Sequence, residues 1–270
     1  MSPLSQLLRR QRDALSQLSP RLWVLPPADL PTELVRESGD GRCFVQDERA
    51  REALDSAGLA TLFAPAPDPR IDGNVVLCLP REKARFRMLT HALASGMDEE
   101  ARLWVAGEIR AGAKSAVRHL ESGFESVRKC DAARHCVLFE ASRPRKAVSF
   151  DLADYACSWP LEAFGKTLTI RSYPGVFAHG GLDDGTALLL IALPAILEHW
   201  TPTTALDLGC GAGVLGVSLL SACPDCELTQ TDTNALALAA ARETLSENGF
   251  AGHTLASDGL GKVEGRFDLM

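Results

Sequence analysis

Apolar side chains recur at helical spacing from Leu4 to Leu18, then close up into a short run, Arg21 to Leu25, that predicts a strand. Asp47 to Ala57 reads as a helix with Asp47 as its N-cap. Asn74 to Leu79 predicts a buried strand, Arg81 to Ala94 a helix and Arg102 to Ala106 another strand. Phe124 to Cys130 and His135 to Ala141 follow as two strands able to pair as a hairpin. Strands alternating with helices predict an α/β fold with a mostly parallel sheet. Arg143-Pro-Arg-Lys-Ala147 has the character of a linker and divides the chain into 1–146 and 147–270.

The second part repeats the alternation. Phe150 to Ala156 and Lys166 to Arg171 predict strands of a small antiparallel flap. A loop from Tyr173 to Thr186, rich in glycine and aromatics, leads into an apolar helix, Ala187 to His199. That loop reads either as a cover over a ligand or as an ordinary connection with Phe177 packed in the core. Then come strand Ala205 to Leu208, helix Val214 to Ala222, strand Glu227 to Thr231, helix Ala235 to Asn248 ended by Gly249, and strand His253 to Ala256.

Between the strand at 205 and the helix at 214 lies the chain's densest glycine pattern, Asp207-Leu-Gly209-Cys210-Gly211-Ala-Gly213. Glycine permits positive φ and lets a ligand approach the main chain. Sites of such sheets lie at the carboxyl ends of the strands. Two ligands compete. Gly211-Ala-Gly213-Val-Leu-Gly216 is a literal G-x-G-x-x-G, the dinucleotide fingerprint of an NAD-dependent oxidoreductase. Read one step earlier, the loop is D-x-G-x-G-x-G, which resembles motif I of S-adenosylmethionine-dependent methyltransferases. Both readings expect an acid after the next strand, and Asp232 supplies it. A carboxylate at Asp207 suits a ligand bearing ammonium and sulfonium charge and repels a pyrophosphate, which favours the methyl donor. Asp258 follows the third strand, where an acid serves either a ligand or a helix N-cap.

Composition adds bounds. The chain has 270 residues, 46% hydrophobic and 23% charged, an ordinary globular make-up. The longest apolar run, Ala187 to Leu197, contains Pro194 and is too short to span a bilayer, so a soluble cytoplasmic protein is expected. Eight cysteines in apolar settings read as reduced, and Cys223-Pro-Asp-Cys226, with no second pair, as a turn rather than a metal site. Net charge is −7, but residues 1–146 carry +3 and residues 147–270 carry −10. The cations of the first part make it the expected contact for a polyanion. That part has no glycine loop after its first strand; Pro26-Pro27-Ala28-Asp29 stands there, and proline has no N–H to offer a ligand. Gly107 to Ser115 approaches a phosphate-binding loop, but Ala113 separates Gly112 from Lys114, so a plain turn with exposed cations is expected.

Taken together the chain resembles the RsmC-type ribosomal RNA small-subunit methyltransferases. The resemblance covers nearly its whole length. It is carried by Gly107-Glu108, Arg110, Gly112, Lys114 and Ser115, by Pro174-Gly-Val-Phe177 and Gly181-Leu-Asp183, by Asp207 through Leu215, and by Asn248-Gly249 and Gly265-Arg-Phe-Asp268. It implies two tandem Rossmann-like class I methyltransferase domains, the first (1–146) degenerate and the second (147–270) binding S-adenosylmethionine. Phe177, Asp207, Gly209, Cys210, Gly211, Gly213, Asp232 and Asp258 are the implied cofactor contacts. The implied reaction is metal-free methylation of a guanine exocyclic N2 amine in small-subunit ribosomal RNA, free or in the 30S particle, by a monomer. The family's Asn-Pro-Pro-aromatic signature follows the fourth strand of the second domain. Met270 falls within that strand, so the resemblance implies a second domain incomplete at its C-terminus, catalytic groups beyond Met270 and an inactive fragment. A non-catalytic RNA-binding or assembly module on the same fold is the alternative of a different class.

Overall fold

A computed structural model describes residues 1–39 and 41–270, with Lys114 described by its backbone alone. Whether the Lys114 side chain belongs to a cationic turn thus lies outside the described residues. The chain divides into two compact units, Met1–Asp154 and Tyr155–Met270.

The first unit runs α1 (Pro3–Arg10), α2 (Arg12–Leu18), β1 (Leu22–Val24), α3 (Thr32–Arg36), β2 (Arg42–Val45), α4 (Glu48–Ser56), β3 (Thr61–Phe63), β4 (Val75–Cys78), α5 (Lys83–Gly96), β5 (Arg102–Glu108), α6 (Ala113–Gly123), β6 (Phe124–Ala133) and β7 (Cys136–Pro144). The sheet order is β3-β2-β1-β4-β5-β7-β6. The first five strands are parallel, and β7 is antiparallel to both its neighbours. This is the doubly wound arrangement expected from alternating strands and helices. Trp23, Val24, Val75, Val76 and Leu77 are buried in the two central strands. Asp47 caps α4 as expected, accepting from Arg49 N and Ala50 N. The single helix expected over 4–18 is two, because Gln11 leaves helical geometry and its N–H turns back to Leu8 O.

The boundary between units falls at Asp154–Tyr155 rather than at 146–147. Arg143 and Pro144 are still in β7, Arg145 N–H donates to Gly123 O, and Lys146 pairs with Glu99, so the cationic stretch is tied to the first unit. Nor is 150–156 a strand. Asp151 Oδ1 accepts from Ala153 N and sets a 3₁₀ turn over Leu152–Tyr155.

In the second unit β8 (Cys157–Ala163) pairs antiparallel with β9 (Lys166–Ser172). Then follow α7 (Asp184–Leu197), β10 (Thr204–Leu208), α8 (Val214–Ala222), β11 (Glu227–Asp232), α9 (Ala235–Glu247) and β12 (His253–Ala256). β10, β11 and β12 form a parallel sheet in that order. On the free side of β10, Leu269 bridges Ala205 in parallel, and the Asp268 carboxylate accepts from Thr203 N and Thr204 N. The expected fourth strand therefore begins in its expected place.

Both units use one register. Leu25 N–H donates to Phe44 O and Ala64 N–H to Val45 O; in the second unit Gly209 N–H donates to Thr231 O and Ser257 N–H to Asp232 O. Trp23 thus stands where the second unit has Asp207, Leu25 where it has Gly209, Val45 where it has Asp232, and Pro65 where it has Asp258. Leu25 even keeps the left-handed backbone, with φ of 51° against 74° at Gly209.

Candidate functional site

The carboxyl ends of β10, β11 and β12 gather the residues singled out from the sequence. After Leu208 the chain turns at once. Gly209 N–H and Cys210 N–H both donate to Thr231 O at 2.8 Å, and Gly213 N–H returns to Cys210 O. Gly209, Gly211 and Gly213 all have positive φ, of 74°, 53° and 78°. Their uses differ. A Cβ at Gly209 or Gly211 would meet no atom within 4 Å, so both leave main chain bare to an open space. A Cβ at Gly213 would lie 2.9 Å from Gln230 Nε2 and 3.0 Å from Ala241 Cα, so this glycine serves close packing of the loop on β11 and α9.

Asp232 fixes the loop from the side. Its Oδ2 accepts Gly211 N–H at 3.0 Å and its Oδ1 accepts Asn234 N–H at 2.8 Å. Asp207 fixes it from below, accepting Gly216 N–H at 3.1 Å and Gln230 Nε2 at 3.3 Å. Burial pushes the Asp207 carboxyl above the usual carboxylate range; the bonds from Gln230 and Gly216 pull it down, and the charge of Asp232 adds to the rise. Cys210 is buried, and burial with the two nearby acids holds its thiol well above its ordinary value, so it packs as a neutral group.

Asp258 is exposed just past β12, held near the others because Ser257 N–H donates to Asp232 O. It caps no helix: 257–262 is a turn closed by Gly261 N–H to Asp258 O, so the N-cap alternative fails. Phe177 is 77% exposed, which overturns the packed-core alternative for its loop. The backbone around it is nonetheless well anchored. Tyr173 OH donates to the Glu243 carboxylate of α9, which also pairs with Arg171. Asn234 Nδ2 donates to Gly175 O at 2.7 Å. The strap is thereby set beside the end of β11 with a bare aromatic two residues further on.

Four of these residues were not singled out from the sequence. Gln230 is a fully buried glutamine inside a strand, with no pattern to betray it. Tyr173 and Glu243 meet across 70 residues. Asn234 had a signal, a capping residue directly before an apolar helix, and its Oδ1 does accept Leu236 N–H.

Two predictions arise here. Asn234→Ala should lower the melting temperature through loss of the cap, worth about 1 kcal/mol, and speed hydrogen exchange at Gly175–Phe177. Asn234→Asp keeps the cap and loses only the tie, so it should speed exchange alone; equal exchange in all three proteins would refute the tie. The second concerns pH. The folded-state pKa of Asp207 lies above its unfolded value, so its contribution to stability is fully present below the unfolded carboxylate range. It is lost as pH rises through the raised value. The stability difference between wild type and Asp207→Asn, from urea unfolding, should therefore shrink as pH increases from about 4 upward. A difference independent of pH would contradict it.

The loop suits one of the two competing ligands better. A pyrophosphate at the start of α8 would use the helix's first free N–H groups. Here the Gly216 N–H is already taken by Asp207, and the two nearest charges are carboxylates. An acidic rim with bare glycine backbone fits a cationic ligand that carries hydroxyl groups for Asp232.

Comparison with known proteins agrees. The family profile described as Methyltransferase small domain matches residues 167–270, and that described as Methyltransferase small domain N-terminal matches residues 5–159. A protein of Chromohalobacter salexigens named Ribosomal RNA small subunit methyltransferase C is 37% identical over 100% of this chain and 77% of its own length. Its namesake from Shewanella pealeana is 33% identical over 98% of this chain and 77% of its own. Among solved structures, a T. thermophilus 16S rRNA N2 methyltransferase in complex with AdoMet and guanosine aligns with a TM-score of 0.78. It is 23% identical and covers 96% of this chain and 73% of that one, which is evidence of shared fold.

Proposed function

The chain belongs to the ribosomal RNA small subunit methyltransferase C family, and we propose that it transfers a methyl group from S-adenosylmethionine to the exocyclic N2 amine of a guanine in small-subunit ribosomal RNA. The observation that carries the reading is the clamped glycine loop: backbone open at Gly209 and Gly211, held in place by Asp232. In this reading Gly209, Gly211 and Cys210 offer main chain to the ligand. Asp232 accepts the ribose hydroxyls, Asp258 lies toward the adenine amine, and Phe177 covers the open face. Asp207 holds the loop in register and keeps the field negative. Gly213 acts through packing.

S-adenosylmethionine, when bound, supplies a sulfonium-activated methyl that is already electrophilic. The protein's task is then to align donor and amine. The first unit takes the RNA: the net +3 of residues 1–146, against −10 in residues 147–270, supports this. Action in the cytoplasm, on free RNA or on the 30S particle, extends the same reading from the relatives' function.

Calorimetry with S-adenosylmethionine, S-adenosylhomocysteine and NAD tests it. The two sulfur compounds should bind and NAD should not; binding of NAD alone would replace the methyltransferase reading with the oxidoreductase one.

A further inference from the structure

The crevice of the first unit lies at its own switch point, between the carboxyl ends of β1 and β4, where open α/β sheets hold their ligands. It is a cleft of about 560 Å³ between Leu25–Pro27, Gln46–Asp47 and Leu79–Glu82. The groups that would hold a cationic nucleoside are gone from it. Val45 replaces the acid, and Pro26 and Pro27 remove two backbone donors. In their place three arginines, Arg49, Arg81 and Arg85, line the walls.

Arg85 is the telling one. Its side chain is only 17% exposed, and its one ion-pair partner among the described residues is Glu82, itself 53% exposed and at the long distance of 3.8 Å. Its Nε donates to Gln46 Oε1 at 2.8 Å, and the fully buried Gln46 is oriented in turn by Pro65 O. This fixes the plane of the guanidinium, with Nη1 on the side of Glu82, in a residue that lines the cleft. Burial also lowers the arginine's hold on its proton, partly offset by Glu82 and Asp47, as for a cation awaiting an anion. The cleft's other acid, Asp47, is spent on the cap of α4 and on Arg49. Arg81 carries no ion pair among the described residues.

We propose that this crevice is a phosphate-binding site, with Arg85 as the anchoring fork and Arg81 at its lip, matched to the tetrahedral oxygens of one phosphate group. Resting on the RNA reading above, that phosphate is a backbone phosphodiester of the substrate. The fold's old cofactor crevice has in that case become a grip on the RNA strand.

The experiment measures fluorescence anisotropy of a 5′-labelled small-subunit ribosomal RNA fragment against salt, for wild type, Arg85→Met and Arg81→Gln. In parallel, thermal shift with inorganic phosphate is recorded for each. Both variants should lose RNA affinity by roughly tenfold and flatten the salt dependence by about one unit of slope, with S-adenosylmethionine binding unchanged. Arg81→Gln lies at the exposed lip and keeps the test valid if Arg85→Met folds poorly. Phosphate stabilisation that vanishes in Arg85→Met while RNA affinity is unaffected would support the site with free phosphate as its ligand. A wild type that binds no RNA at all would sink the RNA reading and leave the phosphate arm to judge the site. Variants with wild-type RNA affinity and slope, together with no Arg85-dependent phosphate effect, would overturn the proposal.

Discussion

Asp232→Ala is expected to weaken S-adenosylmethionine binding by about ten- to a hundredfold, the equivalent of roughly 1.5–3 kcal/mol for hydrogen bonds to a charged group. The size follows from two duties of one carboxylate. It holds Gly211 N–H and Asn234 N–H, and under the proposed function it also accepts ribose hydroxyls. Asp232→Asn separates the duties. One amide oxygen can keep the bond from Gly211 N–H, while its NH₂ cannot accept a ribose hydroxyl. Titration calorimetry on both variants reads the result. If Asp232→Asn binds as tightly as wild type while Asp232→Ala does not, Asp232 acts on the loop alone and the ribose contact is wrong.

Gly213→Ala should be the most destabilising single methyl group in the loop, at about 2–5 kcal/mol. An alanine in left-handed geometry costs about 1–2 kcal/mol. The added Cβ also meets Ala241 Cα at 3.0 Å, main chain that cannot swing aside, which adds about 1–3 kcal/mol of overpacking. Gly209→Ala is the control, with nearly the same φ and no neighbour within 4 Å. It should cost only the backbone part, but it would crowd the open cleft and so impair ligand binding. Urea unfolding, with hydrogen exchange read at the amides of α8 and α9, distinguishes them. Equal destabilisation by the two alanines would show that packing at Gly213 has no part in it.

Much of the site was readable because its signals are local. A turn of alternating glycines between a strand and a helix needs no distant partner to be recognised, and the acids at Asp232 and Asp258 follow from strand spacing. What was hidden depends on contacts far apart in the chain. β2 and β3 were missed as named strands because each has only a few residues and takes its stability from the strands it pairs with, β2 from β1 and β3, β3 from β2 alone. β8 was misplaced because Pro160 argues against a strand, yet proline is tolerated in a two-stranded ribbon. The Asp207 to Gly216 bond and the Asn234 to Gly175 tie join segments whose proximity is a product of the fold.

The left-handed Leu25 has a bearing on how such proteins are recognised at all. It makes, without glycine and at an energetic cost, the same exit from a first strand that Gly209 makes in the second unit. The bend thus belongs to the architecture, while the glycine leaves the main chain bare at it. A census of genomes by glycine signature would count one nucleoside-type sheet in this chain, whereas its strand register shows the frame written twice. A frame repeated in this way is visible through strand register and backbone geometry where the glycine motif marks it only once.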